Sequence, residues 1–321
     1  MERITAPREK TALVTGGAGF IGSNLVEALV ARGERVRVVD NLSTGRRENL
    51  APFAGRIEFI EGDLCDAEVA RNSCESADCV YHVAALPSVP LSMADPAATT
   101  RHGVLATVNA LVAAKDAGAR RFVFSSSSSV YGGEGPFPQR EDSPGRPKNP
   151  YAAAKLCCET YVRTFAEAFG MDAISLRYFN VFGPRQPAKG DYAAVFPAFI
   201  GRMLLGVRPV IFGDGLQSRD FCYVSDVAAA NLRAGDSTRR FAGEAVNVAA
   251  GRETNLVELV GMLNRVLGTD LEPIFEPERP GDVRRSLADV SLARELLGHV
   301  AEVSVEAGLA PTAEHFRGLA P

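Results

Sequence analysis

The 321-residue chain has no tryptophan, only four histidines and six cysteines, and no excess of positive charge. Each shortage removes a class of function. With 39 acidic against 35 basic side chains, a net charge of −4 and a pI near 5.7, it carries no electrostatic footprint for nucleic acid or for an anionic membrane surface. No stretch approaches the ~18 consecutive apolar residues of a membrane span. The opening MERITAPREK is charged and lacks the apolar centre of a signal peptide. A cytoplasmic protein is expected, with neither nucleic-acid nor membrane partners. The cysteines (Cys65, Cys74, Cys79, Cys157, Cys158, Cys222) show no paired zinc-knuckle spacing, and His82, His102, His299 and His315 are scattered. Reduced, structural thiols and no metal site are therefore expected.

What is present is a hydrophobic content of 46%, enough for a sizeable core in two domains or one large α/β domain. The chain is organised around Lys10 to Gly22, KTALVTGGAGFIG. Ala12-Leu13-Val14 reads as a short buried strand, and the glycine run after it is a turn that opens into a helix, Ser23 to Arg32. Gly16 permits the tight turn, Gly19 lets backbone approach a pyrophosphate, and Gly22 lets the helix lie close on the sheet. The helix then aims its free N–H groups, with those of Phe20 and Ile21 among the first, at that phosphate. A second strand, Arg35 to Val39, ends in Asp40, 18 residues past Gly22 and so near the ~20 expected for the acid that holds an adenosine ribose. An acid there, with Asn41 beside it, repels a 2′-phosphate and favours NAD over NADP; Arg46 and Arg47 pull the other way.

Strands continue to alternate with helix-length segments: Ile57 to Glu61, Asp78 to His82, Arg121 to Ser125. This predicts a doubly wound parallel Rossmann sheet whose nucleotide lies at the carboxyl ends of the strands. Asp63-Leu64, Ala84-Ala85 and the run Ser125 to Ser129 stand at those ends. Asp63 suits an adenine amino group, and equally a turn cap. Serine tracts of low complexity belong in linkers, whereas this one follows a strand, where hydroxyls can bind substrate oxygens. After a Pro/Gly-rich loop, Asn149 caps and Pro150 opens a helix carrying Tyr151-Ala152-Ala153-Ala154-Lys155. Residues i and i+4 share a face, so the Tyr151 phenol and the Lys155 ammonium project together. An adjacent cation, reinforced by a positively charged nicotinamide, would bring a phenol of pKa ~10 toward operating pH.

The set TGGAGFIG, Asp40, Asp63, HVAA, SSSSSVYG, YAAAK and RYFNVFGP, spread from about Thr11 to Gly298, resembles the extended short-chain dehydrogenase/reductase family and its nucleotide-sugar epimerases. The resemblance implies that Ser127 takes the catalytic Ser/Thr place, Tyr151 is the base and Lys155 its partner, with NAD held throughout the cycle. It implies a second, smaller α/β domain that binds the UDP-sugar. The Rossmann domain would span 1–180 and be rejoined by about 222–252, and the substrate domain would comprise 181–221 and 253–321. Ser88, Ser127 and Ser128 would meet the sugar, and Asn180, Ala194 and Val195 the nucleotide. Val210 and Phe212 would flank the uracil, and Arg219 and Arg279 would clamp the diphosphate while Asp282 takes the ribose.

Family dehydratases carry an Asp-Glu pair after the catalytic Ser/Thr; here Ser128-Ser129 stand there. Decarboxylases commonly put a glutamate in the same run, and none is present. A 4-epimerase remains. At the place matched by Ser286, bulk restricts family members to UDP-glucose and UDP-galactose, and a small residue admits an N-acetyl group. UDP-GlcNAc/UDP-GalNAc is thus expected, with UDP-glucose/UDP-galactose also allowed and UDP-glucuronate left open because several arginines are nearby. A reductase that releases its cofactor is a more distant alternative. A non-catalytic NAD-sensing regulator is the alternative of another class, one that tends to lose the tyrosine or lysine kept here. The chain departs from the family in having Gly103-Val104-Leu105-Ala106 for the usual Asn-x-x-Gly. A homodimer is expected through the Tyr151 helix and the helix before Ala119, with Ala152, Ala153, Leu156, Tyr161 and Phe165 compatible with that face or with burial on the chain's own sheet.

Overall fold

The computed structural model describes residues 11–187, 194–278 and 283–319. Alternate residues of β1 (Thr11–Thr15) serve opposite layers. Ala12 and Val14 pack with Leu25 and Leu29 of α1 (Phe20–Ala31), and Leu13 packs on the other face. β2 (Arg35–Asp40), β3 (Ile57–Glu61), α2 (Ala67–Cys74) and β4 (Cys79–His82) follow. The chain then passes through two short helices, α3 (Val89–Ala94) and α4 (Pro96–Thr100), and a π-helical turn, Arg101–Leu105, into α5 (Ala106–Asp116). β5 (Arg121–Ser127), α6 (Pro150–Phe169) and β6 (Ala173–Tyr178) complete the half. Asn149 Oδ1 caps α6 by accepting the Ala152 N–H at 2.9 Å, and Pro150 occupies its first turn.

Beyond Asn180 come β7 (Val181–Phe182), α7 (Val195–Leu204), β8 (Val210–Phe212), β9 (Ser218–Arg219), β10 (Cys222–Tyr223) and α8 (Val224–Asp236). β11 (Ala242–Val248) then pairs in parallel with β6. The sheet is seven-stranded and parallel, in the order β11-β6-β5-β4-β1-β2-β3. Strand order reverses between β1 and β4, and a ligand crevice lies outside the carboxyl ends at such a point. α1, α8 and α10 (Ser291–Leu297) cover one face; α2, α5 and α6 cover the other.

β12 (Thr254–Asn255), α9 (Leu256–Leu267), β13 (Ile274–Glu276) and α11 (Val305–Arg317) join α7 in a second core. It is rich in aromatics: Phe182 stacks on Phe196 at 4.2 Å, and Phe221 meets Phe196 edge-on at 4.8 Å. β8 pairs with β13 and β9 with β12, so this part consists of short ribbons wrapped by helices. α6 starts where Asn149 and Pro150 predict. α7 ends at Leu204, and residues 188–193 ahead of it lie outside the described residues. Other elements differ. α1 starts at Phe20, inside the glycine motif, because the turn at Gly16 to Gly19 closes within one residue of the helix. β5 extends through Ser127 by pairing with β6 up to Tyr178. Ala152 and Phe165 are buried within the chain, which withdraws them from any dimer face and leaves Ala153 and Tyr161 exposed. Among the described residues no helix is long and apolar enough to cross a membrane.

Candidate active site

Gly16 is left-handed (φ +65°) and donates its N–H to Val39 O at 2.8 Å, tying the turn to β2. A Cβ on Gly16 would lie 2.7 Å from Ala84 Cα, so the segment after β4 can approach only a glycine. A Cβ on Gly22 would run into the Gly16 carbonyl oxygen and lie 2.8 Å from Gly17 Cα, whereas one on Gly19 would meet a single atom, Gly16 O at 3.2 Å. α1 opens at Gly19 with no side-chain cap, so its first N–H groups, on Phe20 and Ile21, are presented to an anion. These features fit a dinucleotide pyrophosphate. Gly22→Ala is expected to cost about 1–3 kcal/mol through overpacking. It should lower both the thermal midpoint and the NAD recovered with the purified protein, read by absorbance of the released dinucleotide.

Asp40 is buried, and its carboxylate accepts the Ala18 N–H at 2.9 Å and the Leu42 N–H at 2.8 Å. Burial raises its pKa above the ordinary value, and the two backbone donors oppose this. The acid therefore clasps the glycine turn to the loop after β2, a structural duty its spacing did not reveal. Arg47 is paired with Glu61 and lies over the Phe59 ring at 4.9 Å, so it is not a free guanidinium for a 2′-phosphate. Asp63 Oδ1 caps its turn by accepting the Cys65 N–H at 2.8 Å, and Oδ2 accepts from Asn41 Nδ2 at 3.1 Å. Leu64 and Cys65 present their carbonyls to Asn109 Nδ2 at 2.8 and 3.1 Å. Ala84 N–H donates to Thr15 Oγ1 at 3.2 Å, and Ala85 lies half-buried beside it.

His82 had no role by sequence beyond its motif. It is buried with Nδ1 2.9 Å from Thr15 Oγ1 and Nε2 3.0 Å from Thr107 Oγ1, and burial pushes its pKa down to about 3. Thr107 Oγ1 in turn donates to Gly103 O at 2.7 Å. This chain of hydroxyls and imidazole anchors the π-helical turn where the usual asparagine is missing.

The serine run divides. Ser125 Oγ bonds the Tyr178 hydroxyl at 2.9 Å and Ser126 Oγ donates to Glu159, both in the core. Ser127 and Ser128 remain half-buried at the strand end. Tyr151 is half-buried and its hydroxyl hydrogen-bonds with Ser127. Lys155 Nζ stands 5.9 Å from the Tyr151 ring centroid, yet donates to Ser125 O at 2.7 Å and lies over Phe124 at 4.9 Å. Burial raises the Tyr151 pKa above the phenol value, outweighing the Ser127 bond, and pushes the Lys155 ammonium down to about 8.

On the substrate side, Asn180 is left-handed (φ +31°), and its Nδ2 donates to Asp220 O at 3.0 Å and to Ser286 Oγ at 3.1 Å. Ser286 N–H donates to Ser218 O at 3.1 Å, which places the strand carrying Arg219 beside it. Arg219 Nη1 donates to Ser218 O at 2.9 Å. Val210 and Phe212 lie on β8, and Ala194 starts α7 ahead of Val195 with no side-chain cap. Ser88 caps α3 by accepting the Leu91 N–H at 3.2 Å. Arg279 and Asp282 lie outside the described residues. Sequence reading overlooked Asp220, whose carboxylate accepts N–H groups of Ala250, Gly251 and Ala288 at 2.9–3.1 Å and is pushed up to about 6 by burial. It ties three loops together behind the Asn180–Ser286 contact.

A parallel sheet with an uncapped glycine turn at its switch point defines a dinucleotide-binding α/β protein. The model of the family described as "NAD dependent epimerase/dehydratase family" matches residues 12–249. A UDP-glucose 4-epimerase of Mycolicibacterium smegmatis is 40% identical over 309 residues, covering 95% of this chain and 98% of the relative. A solved UDP-N-acetylglucosamine 4-epimerase of Methanobrevibacter ruminantium M1, in complex with UDP-N-acetylmuramic acid, superposes with a TM-score of 0.92 at 40% identity, covering 98% of this chain and all of that one (100%). A UDP-glucuronic acid 4-epimerase of Bacillus cereus, solved with UDP-glucuronic acid and NAD, gives a TM-score of 0.86 at 30% identity, over 97% of this chain and 100% of that one. The chain belongs to the NAD dependent epimerase/dehydratase family, in the extended short-chain dehydrogenase/reductase fold, and is an NAD-dependent epimerase of the UDP-sugar 4-epimerase group.

Proposed function

We propose that the chain interconverts the gluco and galacto forms of a UDP-N-acetylhexosamine through a transient 4-keto sugar, and that UDP-glucose and UDP-galactose also turn over. The substrate reading is supported by the small side chain of Ser286, 3.1 Å from Asn180, at the position where the family resemblance associates a small residue with acceptance of an N-acetyl group. Against UDP-glucuronate, two tail arginines are already paired: Arg284 with Asp214 at 2.7 and 2.8 Å, and Arg285 with Glu253 at 2.7 and 2.8 Å. Neither guanidinium is spare for a carboxylate at C6.

In this reading Tyr151 removes the proton of the 4-hydroxyl, Ser127 bonds the same oxygen, and Lys155 holds the Ser125 carbonyl and supplies positive charge. When bound, NAD supplies the acceptor and donor of the C4 hydride. Gly16, Gly19, Phe20, Ile21, Gly22, Asp40, Asn41, Asp63, Leu64, Ala84 and Ala85 hold the dinucleotide. Ser88 and Ser128 line the sugar, and the nucleotide lies on Asn180, Ala194, Val195, Val210, Phe212 and Arg219, with Arg279 and Asp282 assigned by resemblance alone. The proposed division is 1–180 with about 222–252, against 181–221 with 253–321, apart from α10, which packs on the first sheet. A homodimer through α5 and α6 would use the exposed Ala153 and Tyr161 with Val112. Six free thiols suit a reducing compartment such as the cytoplasm.

The test is NMR of the products after incubating the purified protein, without added cofactor, with UDP-GlcNAc, UDP-glucose and UDP-glucuronate in parallel. Conversion of UDP-GlcNAc is expected, and Ser286→Tyr should lower kcat/KM for it by roughly 10–200-fold relative to UDP-glucose, the range a hydrophobic or steric gate supplies. Turnover of UDP-glucuronate alone would overturn the substrate assignment.

A further inference from the structure

Residues far apart in sequence converge beside the adenine end of the sheet. Asp63 and Cys65 follow β3, and His102 lies in the π-helical turn before α5. His102 Nδ1 is 3.5 Å from Asp63 Oδ2 and 3.4 Å from Cys65 Sγ, and the three donor atoms lie within 4.8 Å of one another. Zinc bonds sulfur at ≈ 2.3 Å and nitrogen or oxygen at ≈ 2.0–2.2 Å, so two of its tetrahedral ligands stand roughly 3.4–3.6 Å apart. Both measured separations through His102 match that geometry. All three residues are half-buried, which leaves a side open for water as a fourth ligand.

The surroundings hold these donors in place. Asn41 Nδ2 bonds Asp63 Oδ2 at 3.1 Å, as an outer partner orients a ligating carboxylate. Asn109 fixes the Leu64 and Cys65 carbonyls at 2.8 and 3.1 Å. The π-helical turn, which presents His102, is secured through Gly103 O and Thr107. We propose that Asp63, Cys65 and His102 form a binding site for a borderline-soft divalent cation, zinc or a close analogue. A thiolate–imidazole–carboxylate set suits such ions and disfavours magnesium and calcium, which take oxygen ligands.

The site also bears on the cofactor. Asp63 Oδ1 is used by its own turn, so Oδ2 would be contested between the cation and an adenine amino group. Occupation of the site therefore weakens NAD binding, and saturating NAD weakens the metal. This coupling rests on the adenine placement proposed above; the metal site itself does not.

Titration of the purified NAD-loaded protein with Co²⁺, followed by absorbance, tests both parts. A thiolate-to-cobalt charge-transfer band reaching saturation at one metal per chain is expected. Cys65→Ser should remove the band, His102→Ala should weaken binding by roughly 10-fold or more, about 1.4 kcal/mol, and Cys157→Ser, at the exposed cysteine on α6, should change nothing. Absence of the band in the parent protein, or its survival in Cys65→Ser, would overturn the site. An equal cobalt affinity in the NAD-loaded protein and in the same protein stripped of NAD would overturn the coupling and leave the site standing.

Discussion

Tyr151→Phe is expected to lower kcat by roughly 10²–10⁴-fold, the contribution of a positioned general base, while NAD still co-purifies and the fold is unchanged. The phenol hydrogen-bonds with Ser127 and burial holds its pKa above the ordinary value, so the protein alone keeps it protonated. Deprotonation needs positive charge close by, which the oxidised nicotinamide and Lys155 supply together. Lys155 sets the alkaline side of the profile. Its ammonium is pushed down to about 8 by burial, so activity should fall as pH rises through 8 and that charge is lost. The base itself works deprotonated, which gives a rising limb at lower pH. Initial rates of sugar epimerisation across pH 6–10, for the parent and for Tyr151→Phe, check both statements. A variant retaining more than a tenth of the parent kcat would remove Tyr151 from the role of base.

The largest loss of stability is expected from Glu159→Ala. Glu159 and Arg177 form a buried bidentate pair at 2.9 and 2.7 Å. The carboxylate also accepts from Ser126, and the guanidinium donates to the Tyr131 hydroxyl at 2.8 Å, which continues to Asn247 at 2.7 Å. Five segments meet there: β5, the turn after it, α6, β6 and β11. Removing one partner leaves an uncompensated buried charge and costs about 3–5 kcal/mol. Replacing both with apolar residues of similar volume, Glu159→Leu with Arg177→Met, should recover most of that loss, because the expensive species is the lone ion. Urea midpoints of Glu159→Leu, Arg177→Met and the double variant give the coupling. Equal destabilisation by the double variant and the sum of the singles would show that the pair is not coupled.

Local patterns were enough for much of this protein. Gly16 to Gly22, the strands ending at Asp40, Glu61 and His82 and the Asn149-Pro150 start of α6 all declare themselves through periodicity, turn chemistry and capping, which act within a few residues. The spacing of Tyr151 and Lys155 on one helix face is equally local. α11 escaped notice because Pro311 and exposed polar residues interrupt its stripe; Leu309 and Phe316 become a helix face only against the second core. Asp220 carries no local signal, and its carboxylate acquires meaning when Ala250, Gly251 and Ala288 converge on it. The five serines read alike, yet pairing of β5 with β6 sends Ser125 and Ser126 inward and leaves Ser127 and Ser128 at the edge.

By itself, then, the sequence determined the wound parallel sheet, the dinucleotide turn and the tyrosine helix, because hydrophobic period, glycine conformation and helix capping are short-range. Tertiary structure alone decided where Lys155 points, which serines stand at the strand end and which in the core, that Glu159 neutralises Arg177, and that Asp63, Cys65 and His102 stand together. Each of these depends on atoms brought from distant segments, and burial changes the charge a side chain can carry there.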